Sequence, residues 1–314
     1  MTNKIAFLFP GQGSQAVGML NAFKNSAATA DLYNTMATEA EQALGQNLAA
    51  LIEQGPAESL NLTANTQPAM LMADILVYRA WLAAGGSQPA LVAGHSLGEY
   101  AALVAAGVLR FSDAVGLVRV RAQAMQEAVP VGQGGMAAIL GLSDEQVQQA
   151  CSQANVGGEV AEAVNFNAPS QVVIAGSAAG VKAACELAKA LGAKRALELP
   201  VSAPFHSSLM KPAAVKLGLA LQQARFESPS IPVYNNIDVA TETDPDRIRE
   251  ALVRQAYGPV RWVETIEAMS KAGATLFVEC GPGKVLAGLV KRITDVPVIN
   301  IFDPDSIQAN LAAS

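Results

Sequence analysis

Two kinds of hydrophobic pattern alternate along the chain. Ile5–Phe9, Ala90–Ala93, Ala274–Glu279 and Val296–Ile301 are short, largely apolar runs bounded by Gly, Pro or Asn. Such runs predict strands buried on both faces. Between them, Asp31–Ala43, Thr66–Ala84, Leu97–Ala106, Ser112–Val129 and Asp246–Tyr257 carry apolar residues at three- and four-residue spacing, which predicts helices. The alternation implies an α/β layer with a mainly parallel sheet.

From residue 131 to 204 the pattern changes. Gly135–Leu142 predicts a strand and Ser143–Ala154 a helix with Ser143 as its N-cap. Val160–Asn165 and Gln171–Ala175 predict strands around the turn composition Asn167-Ala168-Pro169-Ser170. Ser177–Leu191 predicts a helix and Lys194–Leu199 a strand. The order β-α-β-β-α-β is that of a ferredoxin-like unit. An inserted ferredoxin-like α+β subdomain is therefore expected at 131–204, with 1–130 and 205–314 forming the body.

Composition narrows the function. Of 314 residues 51% are hydrophobic, enough for a large core. A net charge of −6 argues against nucleic acid as a partner; Lys194-Arg195 and Lys291-Arg292 are local exceptions and read first as solvated surface charge. Three scattered cysteines, Cys151, Cys185 and Cys280, lack metal-ligand spacing, so no metal site is expected, and their sparse, odd count suits a reducing compartment. Pro10 and Gly11 interrupt the first apolar run, and no stretch reaches the roughly 18 apolar residues of a membrane helix. A cytoplasmic protein away from the membrane is expected.

The glycine turn Gly11-Gln12-Gly13-Ser14-Gln15 after the first strand invites comparison with phosphate-binding loops. Ala16 stands where a dinucleotide fingerprint needs its third glycine, and the Lys-Ser/Thr of a P-loop is missing. Gly281-Pro282-Gly283-Lys284 has the wrong spacing for a P-loop and is followed by Val285.

Gly94-His95-Ser96-Leu97-Gly98 matches G-x-S-x-G between an apolar run and a helical stretch, the context of a nucleophile elbow in a hydrolase-like α/β body. Ser96 is then the candidate nucleophile, and the Leu97 N–H a candidate oxyanion donor. A serine needs a base, and the chain has two histidines. His95 adjoins Ser96 and points elsewhere at such a turn, which leaves His206. Asp238 and Glu279 are possible acidic partners that nothing local selects; a backbone carbonyl would orient the imidazole equally well.

Ala114, Val118, Ala122, Met125 and Val129 form one stripe of the helix 112–129. Arg121 lies about 60° from its centre and Arg119 about 100° on the other side. Arg121 therefore faces inward. A buried guanidinium wants a carboxylate or phosphate, either a protein Asp or Glu or a substrate group.

Together these residues resemble the malonyl-CoA:acyl carrier protein transacylases. The resemblance runs through FPGQGSQ (9–15), TQPA (66–69), AGHSLGEY (93–100), VRAQAMQEAVP (120–130), VNFNAP (164–169), QVVIAG (171–176), SAPFH (202–206), YNNID (234–238), VRQ (253–255) and VECGPGKVL (278–286). It implies malonyl transfer from malonyl-CoA to acyl carrier protein through an acylated Ser96, with His206 as base and acid and no metal or redox cofactor. Arg121 would grip the malonyl carboxylate, Gln12 and Leu97 N–H groups would form the oxyanion hole, and the Gln255 carbonyl would orient His206. His95, Asn165, Asn167 and Phe205 would line the cleft; Phe205 matches a malonyl-selective pattern, while Ala203 departs from it. Lys194, Arg195, Lys291 and Arg292 become candidate docking charges for an acidic carrier, and a monomer is expected. An α/β-hydrolase-type esterase, a non-catalytic carrier-binding scaffold and a methylmalonyl transacylase are the alternatives.

Overall fold

Nine strands occur among the described residues of the computed structural model, which are 4–201 and 203–313. They are β1 (Ile5–Phe9), β2 (Leu91–Gly94), β3 (Gly134–Leu140), β4 (Ala161–Ala168), β5 (Gln171–Ser177), β6 (Arg195–Glu198), β7 (Val233–Tyr234), β8 (Leu276–Cys280) and β9 (Val298–Ile301). β7-β2-β1-β8-β9 form one sheet whose neighbours all run parallel. β4-β5-β3-β6 form a second sheet, antiparallel throughout. The two expected kinds of sheet are both present.

The parallel sheet owes its place to the apolar runs. Every residue of β1, β2 and β8 is buried. Helix Thr63–Ala83 covers one face and is apolar nearly all round, as a helix enclosed by other elements must be. Phe7 meets its Tyr78 and Trp81 edge to face, with ring centroids 5.9 and 5.8 Å apart. Such aromatic contacts add about 1 kcal/mol to simple burial.

The second sheet keeps a core of its own. Ile139, Val147, Cys151, Val172, Ile174, Val181 and Cys185 pack between the sheet and helices Asp144–Ala154 and Ala178–Ala190. Ser143 caps the first helix through a reciprocal box with Gln146, and Ser177 caps the second. β4 departs from the regular period: its pairing with β5 shifts register at Ala163/Asn165 and again at Phe166/Ala168. Such bulges re-aim side chains, and Asn165 and Asn167 sit at them.

Several elements exceed the sequence expectation. Helices Lys211–Gln223, Trp262–Lys271, Val285–Ile293 and Pro304–Asn310 were not assigned from the pattern, nor was the two-residue β7. The run Val285–Val290 is apolar enough for a strand, yet the buried Glu279 carboxylate accepts the Leu286 and Ala287 N–H groups at 3.0 and 2.8 Å. It satisfies two donors of a helix start. β2, β8 and β9 each begin one or two residues later than expected.

Candidate active site

The site lies at the C-terminal edge of the parallel sheet, where α/β sheets present their ligands. β1 and β2 pair Phe9 with Gly94, and the His95 N–H donates to the Phe9 carbonyl at 3.0 Å. The chain then turns sharply at Ser96, whose φ is +54°, and enters helix Gly98–Ala105. The motif glycines are there for closeness. A Cβ on Gly94 would fall 1.9 Å from the Gly98 carbonyl carbon, and one on Gly98 would fall 2.0 Å from the Phe9 oxygen.

Asn236 holds this strained turn. Its Oδ1 accepts the Ser96 N–H at 2.7 Å while its Nδ2 donates to the Gly94 carbonyl at 2.7 Å. One side chain therefore ties the Gly94 carbonyl to the Ser96 N–H across His95, fixing the chain as it enters the residue with positive φ, a conformation that costs about 1 kcal/mol or more unless enforced.

His206, itself at φ +67°, comes to the serine from the segment between the two sheets. Its Nε2 lies 2.6 Å from Ser96 Oγ, and its Nδ1 donates to the Gln255 carbonyl at 2.8 Å. That second bond leaves Nε2 to accept the serine proton. Asp238 and Glu279 have other partners: Asp238 pairs with Arg254 at 2.6 Å, and Glu279 caps the helix described above. Burial and the nearby Arg121 charge push the His206 pKa down to about 3, so the imidazole is neutral at neutral pH.

Arg121 is 2% exposed, whereas Arg119 is half-buried and donates to Gln46, in line with the helix angles. Arg121 donates to Gln67 Oε1 at 2.9 Å, to Gln255 Oε1 at 3.1 Å and to Ser96 Oγ at 3.2 Å. All three acceptors are neutral. Its guanidinium stands 5.7 Å from the Tyr100 ring centroid. A desolvated cation held by neutral acceptors beside a serine hydroxyl has the chemistry to receive an anion.

Gln255 links these parts. Besides orienting His206 and accepting from Arg121, it donates through Nε2 to the Ser96 carbonyl and to Glu99 Oε2, both at 2.9 Å. Glu99, 2% exposed, also accepts the Asn236 N–H at 2.9 Å. Its pKa is pushed up to about 7 by burial, against hydrogen bonds from Gln255 and Asn236 and the charge of Arg121.

The glycine turn comes to the same place. Gly11 is so close to the elbow that a Cβ on it would lie 2.6 Å from the His95 oxygen and 3.8 Å from the Leu97 nitrogen. Gln12, next in the chain, is half-buried with its side chain on Thr63. The backbone of this turn thus stands beside the first amide of the elbow, where a pair of N–H groups can meet a developing oxyanion.

The antiparallel sheet supplies the opposite wall. His95 turns away from Ser96: its Nε2 is 2.7 Å from Asn167 Oδ1 and its ring packs edge to face on Trp262. Asn165, 9% exposed, has no partner for its Oδ1 among the described residues. Phe205 is half-buried between the main core and the Met136–Val164–Val173 cluster.

Of the basic residues, Lys194, Arg195, Lys291 and Arg292 are all exposed. Three converge at one end of the antiparallel sheet. Arg195 pairs across β6 with Leu140, Leu140 pairs with Gln171, and Gln171 accepts from Arg292; Lys194 precedes Arg195. Arg292 is partly committed, since it also donates to the Pro169 carbonyl at 2.6 Å.

Asn236, Gln67 and Glu99 received no role from the sequence although each lies in a motif quoted above. Their signal was polarity at a position the apolar pattern buries. Glu99 sits in a helix with only Val104 not fully buried, and Gln67 in the enclosed helix 63–83.

Comparison with known proteins gives the same direction. Residues 6–300 match the model of the acyl transferase domain. The malonyl CoA-acyl carrier protein transacylase of Escherichia coli K12 is 53% identical over 306 residues, covering 98% of both chains. The protein of that name from Bacillus subtilis is 46% identical over 98% of this chain and 96% of its own length. Among solved structures, an acyl-carrier-protein S-malonyltransferase from Burkholderia pseudomallei superposes with a TM-score of 0.95 at 60% identity, covering 98% of this chain and 99% of that one. A malonyl-transacylase in complex with a type II polyketide synthase acyl-carrier protein superposes at 0.96 with 47% identity, over 99% and 100%. This chain belongs to the acyl transferase domain family.

Proposed function

We propose that this chain transfers the malonyl group of malonyl-CoA to the phosphopantetheine thiol of acyl carrier protein, through a malonyl ester on Ser96. The relatives bearing that name and the transacylase solved with a carrier protein support the substrates. The observation that carries the chemistry is Ser96 Oγ shared between His206 Nε2 at 2.6 Å and Arg121 at 3.2 Å.

In the first half-reaction the malonyl carboxylate joins Arg121. Ser96 Oγ attacks the thioester carbon as its proton passes to His206 Nε2, and the carbonyl oxygen becomes an oxyanion facing the Gln12 and Leu97 amides. The intermediate collapses, the C–S bond breaks, and CoA leaves with the proton from His206. In the second half the carrier thiol gives its proton to His206, attacks the ester carbonyl, and Ser96 Oγ departs with that proton. Each half conserves atoms and protons without a co-reactant.

Donor binding also tunes the base. Arg121 is one cause of the low His206 pKa. A carboxylate that cancels its charge lets His206 rise towards a value better suited to accepting a proton.

The basic end of the antiparallel sheet, Lys194, Arg195 and Arg292, suits an acidic carrier, and the cytoplasm suits these substrates. The test is product analysis with malonyl-CoA in the presence and absence of carrier protein. Carrier-dependent malonyl thioester supports the proposal; free malonate released equally without carrier identifies an esterase.

A further inference from the structure

Glu99 has no part in the steps above, yet it is a carboxylate in the interior of the site. It touches the machinery through Gln255, whose amide is used at both ends: Oε1 accepts from Arg121 at 3.1 Å and Nε2 donates to Glu99 at 2.9 Å. Turning that amide over would set its NH2 against the guanidinium and its oxygen against Glu99 Oε2 and the Ser96 carbonyl. Glu99 therefore helps dictate which face Gln255 shows to Arg121. Among the described residues its direct donors are neutral, the Gln255 amide and the Asn236 N–H.

We propose that Glu99 is a positioning residue for the acyl donor: it fixes the Gln255 amide, balances the Arg121 charge in the free enzyme, and takes up a proton when the donor's own carboxylate occupies Arg121. The proposal rests on the function given above. Two carboxylates then lie in the field of one buried guanidinium, and Glu99, which reaches it only through the neutral Gln255 amide, is the one to be neutralised. The charged and titratable groups facing Glu99 are Arg121 from helix Phe111–Glu127, Asp238 beyond β7, and Tyr100 beside it on its own helix. His206 is one residue removed, through Gln255.

Space for a proton carrier adjoins Glu99. A cavity of about 10 Å³ lies against Glu99, Leu103, Val233, Asn235, Glu242, Ile248 and Ala251, the size of a single water. Glu242 is half-buried, so the cavity lies between a partly exposed carboxylate and the buried one. The ordinary state of Glu99 is consistent with this, its pKa of about 7 making either form accessible.

The tests use the full chain with Glu99→Gln and Glu99→Ala. Glutamine can present one oxygen to both Gln255 and Asn236, so it removes the charge and keeps the hydrogen bonds; alanine removes both. KM and kcat are measured for malonyl-CoA and acetyl-CoA from about pH 6 to about pH 9. In the native enzyme KM for malonyl-CoA is expected to rise towards about tenfold per pH unit above about pH 7, relative to acetyl-CoA. Glu99→Gln should abolish that relative slope, and Glu99→Ala should raise KM for malonyl-CoA about tenfold. Equal slopes in the native enzyme and Glu99→Gln, or a slope shared by malonyl and acetyl donors, overturns the proposal. Mass analysis of Ser96 in each variant keeps the two questions apart. A malonyl adduct with coincident pH slopes defeats only the role of Glu99; no adduct in the native enzyme defeats the functional reading beneath it.

Discussion

The two walls of the cleft are built differently. On the parallel-sheet side the polar groups are tied to one another before any ligand arrives: Ser96 to His206, His206 to Gln255, Gln255 to Arg121 and Glu99, and Asn236 across the elbow. On the antiparallel-sheet side the ties are few. Asn167 meets His95, and the Asn165 oxygen is buried without a partner among the described residues. The difference teaches a division of labour. Preorganised dipoles on rigid elements lower the barrier of the chemical step, while a wall that leaves acceptors free is suited to recognising what enters. Damage to the first wall should lower kcat for every donor or change which donor is accepted; damage to the second should appear in KM.

The largest effect on that comparison is expected from His206→Ala, which should slow acylation about 10³-fold for malonyl and acetyl donors alike. The native enzyme should add a pH signature. Because the His206 pKa is lowered from 6.5 to about 3, the free enzyme keeps a neutral imidazole through the ordinary histidine range. The His206 limb of kcat/KM should therefore lie well below the usual histidine range, and a limb at the usual histidine position would contradict that lowering. Stability has the same sign. Between those two values the unfolded chain binds a proton at His206 that the native one does not, so this contribution is lost as pH falls through the window.

Arg121→Ala comes next and splits the donors. Malonyl transfer should fall about 100-fold, the scale of a buried charged pair left unmade, with acetyl transfer spared or improved. Equal losses would remove the carboxylate-receptor role. A smaller effect is expected on the other wall: Asn167→Ala should raise KM for malonyl-CoA about fivefold with kcat within about twofold, one hydrogen bond being worth roughly 1 kcal/mol. A large loss of kcat there would erase the distinction between the walls.

The sequence made the first wall legible in part. G-x-S-x-G after an apolar run located Ser96, scarcity located His206, and helix angles told Arg121 from Arg119, because each signal is local or countable. The two helices of the antiparallel unit, the Ser143 cap of the first and the order of elements along the chain were legible for the same reason. The wiring was not. Gln255, Asn236 and Glu99 are 255, 236 and 99 in the chain and meet only when β7 and helix Pro245–Gln255 close over the elbow; no periodicity records such a meeting. The role of Gln255 came from resemblance to a known family. Helix Val285–Ile293 was illegible because its apolar run suits strand and helix equally, and Glu279, six residues before it, decides between them.

The most direct test of the account is the mass of the protein after mixing with malonyl-CoA in the absence of carrier, followed by peptide mapping. One malonyl group is expected, located on Ser96, absent in Ser96→Ala and discharged when carrier protein is added. An adduct on another residue, or one that persists in Ser96→Ala, would contradict the claim that the elbow serine, its imidazole and the buried arginine are one catalytic unit.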